Sequence, residues 1–216
     1  MLEQTIKALE THKIVVILRG VDKEKLIPLC EAMYKGGIRL VECTYDARGV
    51  ISDAEIAENI GMLAAHFAGR MEIGAGTVLR EEQVRLTAAV GGTFIISPDT
   101  NEQVIRVAKA CGLVSIPGAL TPTEAMTAHR AGADFVKLFP VSAMSPSYVK
   151  AVRAPLSHSR FLAVGGVRLD NIADFLKAGA HGVGIGIGEP EKQAIASGDF
   201  DFVENTCRAL VEKAHA

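Results

Sequence analysis

The sequence predicts an α/β chain folded as a compact (β/α)8 TIM barrel with an extra helix in front, on three observations. Short β-branched runs alternate with longer amphipathic segments along all 216 residues. There are eight such runs about 24 residues apart, enough for a strand, a turn, a helix and a second turn. No long polar linker interrupts them, so residues 1–216 read as one barrel domain. A doubly wound sheet typically uses about five or six strands, whereas eight consecutive units can close on themselves.

The runs begin at Ile14, Leu40, Glu72, Phe94, Val114, Asp134, Phe161 and Gly182. Between them, residues 22–36, 52–67, 80–90, 100–110, 121–131, 146–154 and 169–178 have helical composition and spacing. Residues 1–11 form the extra leading helix and 199–216 the last one. Asp53 and Thr100 are expected as helix caps, and Thr121-Pro122-Thr123-Glu124 reads as a capping box with proline in the first turn. Gly36, Gly112, Gly132 and Gly179 stand where left-handed residues close helices.

Composition narrows the function. Lys plus Arg number 23 against 25 Asp plus Glu, a net charge of −2, which lacks the basic footprint of a nucleic-acid binder. No stretch approaches the roughly 18 apolar residues of a membrane span, and the start lacks the apolar core of a secretory signal. The four cysteines, Cys30, Cys43, Cys111 and Cys207, are scattered, which disfavours a zinc site or a disulfide framework and favours a reducing cytoplasm. The six histidines show no metal-ligand spacing, so neither a catalytic metal nor another cofactor is expected.

In a barrel, the C-terminal strand ends meet at one face, where chemistry is sought. The sixth run is apolar apart from Asp134 and Lys137. A lysine inside a barrel loses hydration and so proton affinity; it either becomes an amine able to add to a carbonyl or forms an ion pair with a nearby carboxylate. In the second run, strand alternation puts Leu40, Glu42 and Thr44 on one face, so Glu42 is either an acid–base group beside Lys137 or its neutralising partner. Arg19 ends the first run, as an anion anchor or a rim ion pair. Gly74-x-Gly76-Thr77 lets backbone approach a ligand, but it lacks the third glycine of a dinucleotide site. Gly165 and Gly166 after the seventh run, and Gly186 and Gly188 after the eighth, permit a backbone anion cradle, although Glu189 follows at once.

Taken in order, Glu42, Gly74-Ala75-Gly76-Thr77-Val78-Leu79, Ser97-Pro98, Ile116-Pro117-Gly118, Lys137-Leu138-Phe139-Pro140 and Gly165-Gly166-Val167 resemble the 2-keto-3-deoxy-6-phosphogluconate and 4-hydroxy-2-oxoglutarate aldolase family. The resemblance runs from about Lys13 to the last helix. It implies a class I aldolase that cleaves a 4-hydroxy-2-oxo acid to pyruvate and an aldehyde, assembled as a homotrimer. It implies Lys137 as the Schiff-base lysine and Glu42 as the proton shuttle. By the same resemblance, Thr77 helps hold the carboxylate; Arg19 is expected to anchor it too, with Phe139 and Pro117 as the apolar wall and Pro98 as a further substrate contact. Gly165 and Gly166 lie at the distal anion site, with Gly186 and Gly188 in the last loop. Residues 17–20 and 163–167 look nearer the phosphogalactonate branch.

Two departures set further expectations. Asp46 stands where an arginine is common, which leaves the carboxylate contact to Arg19, Arg48 or backbone. Gly186-Ile187-Gly188-Glu189 lacks the usual serine, so an unphosphorylated 4-hydroxy-2-oxo acid competes with the phosphorylated one as substrate. A non-catalytic metabolite-binding barrel is the alternative from another class.

Overall fold

The computed structural model describes residues 2–216. Parallel strands β1 (Ile14–Leu18), β2 (Leu40–Thr44), β3 (Glu72–Gly76), β4 (Phe94–Ile96) and β5 (Val114–Ile116) pair in sequence order. On the other side of β1 lie β9 (Gly182–Gly186), β8 (Phe161–Val164), β7 (Val136–Leu138) and β6 (Gly118–Ala119). The eight predicted runs are therefore nine strand segments, because the fifth is split at Pro117. A proline has no N–H to give a ladder, so the chain pairs with β4 before it and with β7 after it. The carbonyl of Pro117 accepts the Lys137 N–H at 2.8 Å, and these bonds carry the barrel round.

The helices are α1 (Leu2–His12), α2 (Lys23–Lys35), α3 (Asp53–His66), α4 (Glu81–Ala89), α5 (Glu102–Ala110), α6 (Pro122–Arg130), α7 (Pro146–Arg153), α8 (Ile172–Lys177), α9 (Glu189–Ser197) and α10 (Phe200–His215). Strand alternation sorts the core into two layers. Val15, Leu40, Phe94, Ile96, Val114, Ile116, Phe135, Leu162 and Val164 fill the barrel, joined by Leu9 of α1 from below. Val16, Leu18, Val41, Cys43, Ile73, Ile95, Val136 and Leu138 face the helices. Full burial of each such large side chain stabilises by about 1.5–3 kcal/mol.

Several boundaries differ from expectation. Ser52 and Asn101 cap α3 and α5, where Asp53 and Thr100 were expected. Thr100 instead donates its hydroxyl to the Gly118 carbonyl at 2.6 Å. Asp134 precedes its strand because its carboxylate holds Lys109 Nζ at 2.6 Å and the Ser115 N–H at 2.9 Å. Gly36 is right-handed, and Gly37 takes the left-handed turn at φ +97°. What Gly36 supplies is room: a Cβ there would lie 2.6 Å from Cys207 Cβ of α10. The eighth unit also carries an unforeseen helix, α9, started by Pro190 in its first turn. The capping box at Thr121 and Glu124 forms as the sequence predicts. Among the described residues, no helix is long and apolar enough to cross a membrane.

Candidate active site

Lys137 sits on β7 between Val136 and Leu138, which face the helices, so its side chain turns into the barrel. Glu42 does the same on β2 between Val41 and Cys43. They are 7% and 2% exposed, respectively. Each charge acts on the other. Burial pushes the Glu42 carboxyl up to about 7, although the Lys137 ammonium and the Arg19 guanidinium pull it down. Burial lowers the Lys137 amine, Glu42 raises it again, and Arg19 adds to the lowering. Both groups therefore sit nearer to neutral water's proton affinity than exposed side chains would, as proton-transfer groups must. Cys43 does not compete, because burial holds its thiol at about 12.

Glu42 Oε2 is buried without a hydrogen-bond partner. Its other oxygen lies over Gly76: a Cβ there would come within 2.3 Å of Glu42 Oε1. Gly76 is thus required for space. Lys137 Nζ stands 4.6 Å from the centre of the Phe139 ring, a geometry that favours the ammonium form. The other edge of that ring lies against Gly165, where a Cβ would be 3.1 Å from Phe139 Cδ2. Lys137, Phe139 and Gly165 therefore form one wall.

Arg19, exposed just beyond β1, donates from Nη2 to Thr77 Oγ1 at 2.9 Å. Thr77 adopts a left-handed backbone, φ +55°, which costs a non-glycine residue about 1–3 kcal/mol unless its surroundings hold it. Gln83 holds that loop and was missed in the sequence. Its Oε1 accepts the Leu79 N–H at 2.8 Å, and its Nε2 donates to Asp53 Oδ1 at 3.1 Å. The signal was present, since Gln83 is the third residue of α4, from which a side chain reaches back to the residues before the helix.

Of the two arginines weighed for the carboxylate, Arg48 is 84% exposed and reaches Asp46 at 3.4 Å. Asp46 itself accepts the N–H groups of Arg48, Val50 and Ile51, at 3.0, 3.0 and 3.2 Å. It ties down its own loop where an arginine was common.

The remaining candidates fall into two groups. Pro117 is buried directly behind Lys137 through its carbonyl, while Pro98 is half-buried with its carbonyl against Gly118. Gly165 and Gly166 both have left-handed φ, near +88° and +87°. Asn171, another residue the sequence did not flag, donates to the Gly166 carbonyl at 3.0 Å and accepts the Arg168 N–H at 2.8 Å, which orients that loop. Gly186 ends β9 with open space where a Cβ would project. Gly188 caps α9, with Glu191 Oε2 lying 2.6 Å from its Cβ position.

Among known proteins, this barrel stands with the aldolases, which are carbon–carbon lyases. The family model described as KDPG and KHG aldolase matches residues 5–206, and the chain belongs to that family. It is 36% identical over 174 residues to the 2-dehydro-3-deoxy-6-phosphogalactonate aldolase of Escherichia coli K12, covering 80% of this chain and 82% of the relative. The 2-dehydro-3-deoxy-phosphogluconate aldolase of Treponema pallidum is 32% identical over 201 residues, 91% of each chain. A solved structure described as native KDPGal superposes with TM-score 0.82 at 32% identity, over 94% of each chain. A thiamine phosphate pyrophosphorylase of Pyrococcus furiosus shares the fold at TM-score 0.69 and 18% identity, which shows that the scaffold alone does not set the chemistry.

Proposed function

We propose that the chain is a class I aldolase in which Lys137 is the imine-forming amine and Glu42 the proton carrier. One observation carries this: two desolvated, mutually coupled ionisable groups face each other's charge inside a barrel mouth, and the carboxyl keeps a bare oxygen. A purely structural ion pair has its lone pairs satisfied.

The neutral Lys137 amine adds to the C2 ketone of a 4-hydroxy-2-oxo acid. Glu42 delivers the proton that lets the carbinolamine hydroxyl leave as water, and a protonated imine forms. The Glu42 carboxylate then takes the C4 hydroxyl proton. The C3–C4 bonding pair moves into the imine, an aldehyde departs, and an enamine remains. Protonation at C3 and hydrolysis release pyruvate and the free amine. Arg19 and Thr77 hold the substrate carboxylate, which fixes the reacting carbon over Lys137. Phe139 and Pro117 form the wall that keeps water from the amine. Gly165, Gly166, Gly186, Gly188 and Pro98 border the rest of the substrate.

The same reading includes a homotrimer. Val50 and Leu79 are 78% and 37% exposed at neighbouring loops, apolar surface that a subunit contact would cover. Four thiols, three of them buried, fit a reducing cytoplasm. Incubation with pyruvate and borohydride tests the chemistry: the wild type gains a stable covalent adduct and Lys137→Ala gains none. An adduct that persists in the variant would exclude this lysine.

A further inference from the structure

Ser52 rather than Asp53 caps α3, so the Asp53 carboxylate, on the first residue of that helix, is left for other partners. Both partners belong to α4 and its N-cap. Asp53 Oδ1 accepts from Gln83 Nε2 at 3.1 Å, and Oδ2 accepts from Arg80 Nη2 at 2.5 Å. The Arg80 side chain is 61% exposed, so its ion pair is a surface one of small worth. Gln83 is 3% exposed, where every hydrogen bond of its amide counts.

A primary amide can sit either way round. Gln83 Oε1 accepts the Leu79 N–H at 2.8 Å; turned over, the amide would set its own NH2 against that N–H. A carboxylate only accepts, so Asp53 permits the first orientation and opposes the second. The Gln83 backbone is fixed as well, because its carbonyl accepts the Tyr45 hydroxyl at 3.1 Å and the Thr87 hydroxyl at 2.7 Å. Two bonds then close the turn after Thr77: the Leu79 N–H goes to Gln83, and the Val78 N–H goes to the Ile96 carbonyl at 3.2 Å. Inside that turn Thr77 keeps its φ of +55°, with its hydroxyl 2.9 Å from Arg19 Nη2.

We propose that Asp53 is a positioning residue for the substrate carboxylate. It sets the orientation of the Gln83 amide, the amide holds the Leu79 N–H, and the turn so held aims Thr77 at Arg19. The assignment rests on the aldolase reading, in which those two side chains hold the carboxylate.

The test is the pyruvate concentration that half-saturates borohydride trapping, read beside the extent of trapping at saturating pyruvate. Asp53→Leu raises the first about fivefold and leaves the second unchanged, whereas a protein that is only destabilised loses extent. Arg80→Met removes the exposed ion pair alone and shifts half-saturation by less than about twofold. Gln83→Glu sets two carboxylates against each other and raises it about fivefold or more. The swap Asp53→Asn/Gln83→Glu restores the wild-type value: the new amide donates to the new carboxylate, which still accepts the Leu79 N–H, and the amide oxygen still accepts from Arg80. The swap preserves side-chain size, so it decides the question where Asp53→Leu does not fold. An unchanged half-saturation in Asp53→Leu, an equal rise in Arg80→Met, or a swap as impaired as Gln83→Glu overturns the assignment. Without trapping in the wild type the aldolase reading and this assignment both fail; with wild-type trapping intact, any of those three results removes this assignment alone.

Discussion

Two buried glutamates on adjacent strands meet opposite fates at the two ends of the barrel. Glu72 opens β3 at the lower end, level with Leu40 of β2, and is 8% exposed. There α1 covers it: Gln4 Nε2 donates at 3.0 Å and Thr5 Oγ1 at 2.8 Å, one to each carboxylate oxygen. Glu42, two residues along β2 at the upper end, is 2% exposed and keeps one oxygen bare. Burial alone therefore does not decide whether a carboxyl is fully bonded to its neighbours. The lower glutamate has neutral donors that tie it to the fold, whereas the upper one has two cations acting on it and a vacant lone pair. Barrels of this type separate stability from chemistry along the strand axis, and here the separation is visible in one residue type.

The contrast can be broken at several points. Lys137→Ala removes the amine and takes aldol cleavage to background, measured as pyruvate release. Glu42→Gln lowers kcat by roughly a hundredfold to ten-thousandfold, the usual range for a lost general acid–base group. The wild-type kcat/KM falls as pH drops through about 7, because Glu42 becomes protonated and loses its base function; Glu42→Gln lacks that limb. Gly76→Ala places a methyl carbon 2.3 Å from Glu42 Oε1 and displaces it, which lowers kcat about a hundredfold if the carboxyl moves by about 1 Å. Gln83→Leu frees the Leu79 N–H and loosens the Thr77 loop, so KM for the 2-oxo acid rises about fivefold, the worth of about 1 kcal/mol. Glu72→Leu should touch none of these. It removes the carboxylate that Gln4 and Thr5 bond, lowers stability to urea by about 1–3 kcal/mol and preserves the pH profile, which sharpens the difference between the two ends.

What the sequence revealed depended on period and proximity. Alternation along β2 put Glu42 on one face with Leu40 and Thr44, since a two-residue period needs no tertiary information, and Lys137 stood out as an ammonium in an apolar run. The capping box at Thr121 was legible because all its members lie within four residues. The split at Pro117 was not, because it records where two different neighbours, β4 and β7, take over the pairing. Gly36 was misread as a turn residue because its contact, Cys207, lies on the last helix. Asp46 looked like a missing cation; only the folded loop shows its carboxylate consumed by three N–H groups. The choice of Arg19 over Arg48 likewise needed Thr77 in place, a residue distant in sequence.

Peptide mapping by mass spectrometry after reduction of the wild-type protein with borohydride in the presence of pyruvate tests the central claim directly. The account predicts a single carboxyethyl modification on the Lys137 side chain. Modification on other lysines with Lys137 untouched, or none at any pH, would contradict it.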